Sequence, residues 1–222
     1  MVMAKNTAHI AVLCVGAAIV YGILHDQVTA HVCVEYFTIG HASFFPTRDP
    51  TLLALGWGIF ATWWAGLLLG IPLGLLAQVG TLPKLTARNF VRPVFLIMLV
   101  SGVAAVLVGM AGYVLASSGD VWLREPLASR VPQEKHPQYL ADAWAHGASY
   151  AAGIIGGIAA WVWTWRERRP TGNKQRQRAP TRILPQRLES AALFLLTLVG
   201  GLGLTLVVLI IGLLAMLAGS GL

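Results

Sequence analysis

The sequence predicts an all-α polytopic membrane protein, a single domain (1–222) of five transmembrane helices in which a four-helix core is followed by one C-terminal span. Three observations carry this expectation. Hydrophobic residues make up 56% of the chain and charged residues only 11%, where soluble domains carry about a quarter. Apolar stretches recur that meet the roughly 20 residues a helix needs to cross the hydrocarbon core. Basic residues gather in alternate loops, as they do when positive charge resists translocation.

The first span, 8–24, holds no acid, lysine or arginine. Lys5, this run and Val28-Thr29-Ala30 also have the layout of a signal peptide cleaved after Ala30. The run of 17 residues is longer than a signal core, however, and charge follows it at once, so an uncleaved helix is expected. In the second span, 52–77, Gly66, Gly70 and Gly74 recur every four residues and so share one face, a pattern that lets helix backbones approach closely. Pro72 lies within that stripe and should kink the helix. The third span, 93–117, is nearly unbroken aliphatic sequence. The fourth, 144–165, continues a helix opened by Pro137 and has a smaller stripe at Gly153 and Gly157. The fifth, 189–219, is longer than a bilayer requires and should tilt. Tryptophans at 57, 63, 64, 122, 144, 161, 163 and 165 are read as interfacial anchors.

The N-terminal tail, the loop 78–92 and the basic loop 166–188 hold 12 of the 16 lysines and arginines, while the other two loops hold seven of the nine acids. This places the N-terminus in the cytoplasm and the C-terminus outside. The net charge of +7 is thus a product of topology, and nucleic acid is excluded as a partner. The partners expected are the lipid bilayer and a second copy of the chain or a larger membrane complex. Cys14 falls in the first span and Cys33 in an outer loop, so both are expected as free thiols.

Chemistry concentrates on the outer face. The segment HDQVTAHVCVEYFTIGH gathers His25, Asp26, His31, Cys33, Glu35 and His41, a mixture of imidazole, thiol and carboxylate suited to zinc or iron and to proton transfer. Were HVCVEYF extended, His31, Cys33 and Glu35 would share one side of it; a continuous helix would scatter them. On the fourth helix Asp142, His146 and Tyr150 follow at steps of four and form a polar stripe. With His25 closing the first span on the same side, His25, Asp142 and His146 could meet at the mouth of the bundle. The candidate metal ligands are therefore His25, His31, Cys33 and His146. Glu35 and His146 are candidate proton acceptors, and Asp142 is a candidate to orient His146.

No HExxH, paired CxxC, P-loop, GxGxxG or GxSxG motif occurs. The stretches HDQVTAHVCVEYFTIGH, DPTLLALGWGIFATWW and LADAWAHGASY resemble uncharacterised bacterial multi-pass integral membrane proteins of similar length, over the first four spans. That resemblance implies residence in a bacterial inner membrane and carries no activity and no residue role. Three function classes follow: a small metal-dependent or redox membrane enzyme, an accessory or assembly subunit of a larger membrane complex, and a small transporter or channel subunit. The last is disfavoured because no acid or base lies at mid-bilayer depth in any span.

Overall fold

The computed structural model describes residues 2–169. The fifth expected span and the basic loop beyond Arg169 lie outside the described residues. Within them every regular element is helical: α1 (Val2–Val32), α2 (Val34–Thr38), α3 (Pro50–Phe60), α4 (Trp63–Gln78), α5 (Ala87–Ser117), a 3-10 turn (Gln133–Lys135) and α6 (His136–Arg168).

Three stretches are long and apolar enough to cross a membrane: Val2–Val32, Pro50–Gln78 and Ala87–Ser117. The chain is accordingly a membrane protein by its helices. The expected fourth span, 144–165, is helical throughout inside α6, but it does not join that group. Its glycine, serine, tyrosine and tryptophan residues dilute the aliphatic content that the other three stretches have.

Local structure adds detail at two places. Helix α1 runs past Leu24 to Val32 and the chain resumes helix at Val34, so of the two conformations open to HVCVEYF the helical one forms. Only Cys33 there is extended (φ −149°, ψ 92°), as the N-cap residue of α2. The second span is broken into α3 and α4 at Ala61 and Thr62. At the end of α3 the Ala61 N–H donates to the Trp57 carbonyl at 2.7 Å, the last α-helical bond before the break. Helix α4 runs through Pro72 without a break.

Helix starts follow capping chemistry. Asp49 precedes Pro50 at the first position of α3, and its Oδ1 accepts from the Leu52 N–H at 2.8 Å. Ahead of α5, Asn89 Oδ1 accepts from both the N–H (2.8 Å) and the hydroxyl (3.1 Å) of Thr86.

The chain divides into two units, and the longer helices contribute to both. One unit takes the described parts of Met1–Val20, Thr62–Phe95 and Gly157–Leu222. Here the glycine stripe of α4 seats α1. A Cβ on Gly66 would lie 2.5 Å from Val15 Cα, one on Gly70 2.7 Å from Ala11 Cα, and one on Gly74 2.9 Å from the Thr7 carbonyl oxygen. The end of α6 is held by Arg168, which is 5% exposed. Its guanidinium donates to the carbonyls of Leu76, Val79 (2.6 Å), Leu82 and Pro83 (2.9 Å), and so satisfies acceptors that the end of α4 leaves open.

The other unit comprises Tyr21–Ala61 and Leu96–Gly156. Two apolar clusters organise it. Ala30, Phe37, Leu53, Ala54 and Trp57 form one, and Cys33, Leu123, Val131 and Tyr139 the other, with Tyr36 packed against both. Helices α5 and α6 meet closely at Gly109 and Gly112, whose Cβ positions would fall 3.1 Å from Ala145 Cβ and 2.9 Å from the Trp144 ring. Gly153 is looser than its stripe implies: an added Cβ would find only Ser101 Oγ, at 4.0 Å.

Candidate metal centre

The extension of α1 to Val32 has a chemical consequence. It carries His25 and Asp26 on helix, beside the first half of α6, in the unit that also holds α2 and α3. There one ligand atom from each of His25, Asp26 and His146 lies within 4.8 Å of the others. His146 Nε2 is 3.3 Å from Asp26 Oδ1, with the two side chains 12% and 7% exposed. The rings of His25 and His146 stand edge to face with centroids 4.4 Å apart.

Hydrogen bonding fixes what these atoms can be. His146 Nδ1 lies 2.8 Å from the Asp142 carbonyl oxygen, one turn earlier on α6. A carbonyl only accepts, so Nδ1 carries the proton and a neutral ring presents the Nε2 lone pair. That lone pair faces a carboxylate oxygen, which is repulsive unless a proton or a metal cation lies between them. His25 Nε2 is buried with no hydrogen-bond partner. Leaving such an atom unsatisfied costs about 1–3 kcal/mol, and a cation at the cluster would relieve both defects. Two imidazoles and a carboxylate with room for a further ligand are the donor set of catalytic zinc and of non-haem iron. With bonds of about 2.1 Å, tetrahedral ligand atoms sit roughly 3.4 Å apart, close to the 3.3 Å seen for His146 and Asp26.

Aromatic rings enclose the cluster. Tyr21 stacks on His25 (5.8 Å, 19°) and its hydroxyl is 2.7 Å from Ser149 Oγ. Tyr36 and Phe37 lie against His146 at 4.5 and 5.9 Å. These rings hold both imidazoles in place and lower the access of water.

The other expected site residues are distributed differently. His31 is exposed on α1, its Nδ1 2.7 Å from the Gln27 carbonyl oxygen and its Nε2 3.4 Å from Thr51 Oγ1. It is not in the cluster. Cys33 is 1% exposed in the apolar pack with Leu123, Val131 and Tyr139, and its thiol donates to Glu35 Oε2 at 3.4 Å. Burial pushes that thiol up to about 12, and the Glu35 carboxylate adds to the rise, so it is a protonated thiol and not a thiolate ligand. Glu35 serves as its acceptor.

Asp142 is 2% exposed, ahead of the apolar stretch that begins at Trp144. It positions His146 through its backbone carbonyl and not through its carboxylate, whose Oδ2 is buried without a partner. Burial first, then the charges of Asp26 and Glu35, push its carboxyl up to about 9. At neutral pH it therefore stands as a neutral acid near the cluster.

Asp26 and Tyr36 are the members to which the sequence gives no role. Asp26 adjoins His25 at the end of an apolar run, and a buried acid at that depth needs a partner. That was the available signal. No family model matches the chain, and neither a curated protein nor a solved structure matches it.

Proposed function

We propose that this protein is a small bacterial inner-membrane protein that binds one divalent transition metal, zinc or iron, through His25, Asp26 and His146 on the outward side of the bilayer, and that it acts there as a metal-dependent or redox membrane enzyme. The observation that carries the reading is the convergence of three donor atoms of which one pair, His146 Nε2 and Asp26 Oδ1, requires a positive particle between them. Open coordination positions would let the metal polarise a substrate or activate water.

The topology proposed with this reading has five spans, with α6 crossing fourth and 189–219 fifth, the N-terminus in the cytoplasm and the C-terminus outside. Support for α6 as a span comes from its packing. It meets α5 at Gly109, Gly112 and, through Gly156, Ile97. Separately, Trp161 Nε1 donates to the Leu69 carbonyl of α4 at 3.3 Å. Most of the α4 glycine stripe is already used inside the chain against α1, which weakens the accessory-subunit reading.

Elemental analysis by mass spectrometry on tag-free, detergent-purified protein tests the assignment. About one zinc or iron per chain is expected in the wild type, lost in His25→Ala and His146→Ala and retained in His31→Ala and Cys33→Ala. Metal-free wild-type protein, or metal kept by both cluster variants, overturns it. Metal-free protein would leave a proton held between His146 and Asp26 as the account of their contact.

A further inference from the structure

Beyond the metal cluster, the chain between α2 and α3 encloses a second feature that the proposed function does not use. Phe37, Phe45, Leu53, Trp57, Arg48 and the residues between them line a half-open cavity of about 340 Å³. Apolar side chains form its inner wall. Phe37, Leu53 and Trp57 are all buried, and Phe45 stands edge-on to Trp57 at 5.5 Å. Phe45 takes this place because Gly56 has no side chain: a Cβ there would fall 2.8 Å from the Phe45 ring. The rim is of the opposite character, with the hydroxyls of Ser43 and Thr47 beside Arg48.

Arg48 is the one charged residue of the lining. It is exposed, and among the described residues it has no ion-pair partner. The neighbouring acid, Asp49, is engaged as the cap of α3. We propose that this cavity binds a small amphiphilic organic anion, one aromatic ring system or short chain seated against Phe45 and Pro46, over the buried Phe37, Leu53 and Trp57, with its carboxylate paired to Arg48.

Size decides between this and a bilayer lipid. At about 340 Å³ the cavity lies at the small end of small-molecule sites, about 300–1,000 Å³, enough for a fused ring with a carboxylate and too little for a whole diacyl phospholipid. Charge decides between anion and cation, since a guanidinium forms paired, charge-assisted hydrogen bonds with a carboxylate and repels an amine. An aromatic floor with a few polar groups at its edge is the common make-up of small-molecule sites.

The test uses the full chain in phosphatidylcholine nanodiscs, titrated with 2-naphthoate and, separately, with the neutral 2-naphthamide by calorimetry. The expected result is saturable binding of the carboxylate, at least tenfold weaker for the amide and for Arg48→Gln, and abolished by Ser43→Trp, which fills the rim at an exposed position. Equal affinities for carboxylate and amide, or unchanged binding in Arg48→Gln, overturn the proposal. So does loss of naphthoate binding when phosphatidylglycerol replaces part of the nanodisc lipid, because a lipid headgroup would then be the occupant. The metal reading is independent: His146→Ala is expected to lose metal and to keep naphthoate binding, so the two can fail separately.

Discussion

Cys33 shows how strongly one residue's chemistry depends on where the backbone places it. The extended φ and ψ at this position, between α1 and α2, turn its side chain into the apolar pack of Leu123, Val131 and Tyr139. Only a thiolate is an effective nucleophile or metal ligand. With the folded thiol pushed up to about 12 from an ordinary 9, the thiolate fraction at pH 7.5 is negligible. We therefore expect N-ethylmaleimide to leave Cys33 unmodified in native protein at pH 7.5 and to modify it fully after denaturation in SDS, as read by intact mass. Because the folded value lies above the unfolded one, the stability tied to this neutral thiol is present below about pH 9 and is lost as pH rises toward 12. Rapid native labelling would show the thiol to be accessible and would reopen it as a ligand. In the sequence, Cys33 could be read only by spacing, and spacing put it on a face with His31 and Glu35. His25 and His146 were legible because each closes or opens an apolar helix on the same side. The part of Asp26 was not: consecutive residues on a helix differ by about 100°, so its convergence with His25 on one ring depends on how α6 packs, which no local pattern encodes.

At the scale of elements, the contrast between the two glycine stripes is instructive. Both have the four-residue spacing that permits close helix contact, yet only the α4 stripe has backbone against it. A Cβ on Gly66 would fall 2.5 Å from Val15 Cα, whereas one on Gly153 would meet nothing nearer than Ser101 Oγ at 4.0 Å. Gly66→Val must push α1 away and is expected to cost about 3 kcal/mol. Gly153→Ala should instead be neutral or stabilise by about 0.5–1 kcal/mol, since alanine is the better helix former. Thermal unfolding of the two variants in detergent, followed by circular dichroism, checks both; equal losses would mean that the stripes pack alike. The long apolar helices themselves were legible because crossing a bilayer demands length and aliphatic content, which composition records directly. Their ends were not. The polar run after Leu24 reads as a loop, but it continues α1 because Asp26 is buried against His146 and the Thr29 hydroxyl returns to the His25 carbonyl at 3.3 Å. The break at Ala61 and Thr62 lacks any glycine or proline of its own to announce it.

For the whole molecule, the proposed topology puts the His25 end of α1 outside, and the charge distribution is the argument for that. Lys84, Arg88 and Arg92 flank the connection from α4 to α5, and Arg166, Arg168 and Arg169 end α6 at the head of the basic run 166–188, whereas in the loop from α5 to α6 Arg124, Arg130 and Lys135 are offset by Asp120, Glu125 and Glu134. An odd number of crossings between the second and third of these groups is required if positive charge stays in the cytoplasm. The proposed topology therefore takes α6 as a span in spite of its lower apolarity, and its contacts to α5 and α4 support that reading. Single cysteines report the sides, because Cys14 and Cys33 are both buried and give little background. A membrane-impermeant maleimide applied to intact cells should label Glu134→Cys, and should reach Thr81→Cys and Arg169→Cys only after lysis. Labelling of Arg169→Cys in intact cells would remove α6 from the list of spans. The reverse pattern at all three positions would put the histidine cluster on the cytoplasmic side, where its metal would come from the buffered cytoplasmic pool and its substrates would be those of the cell interior.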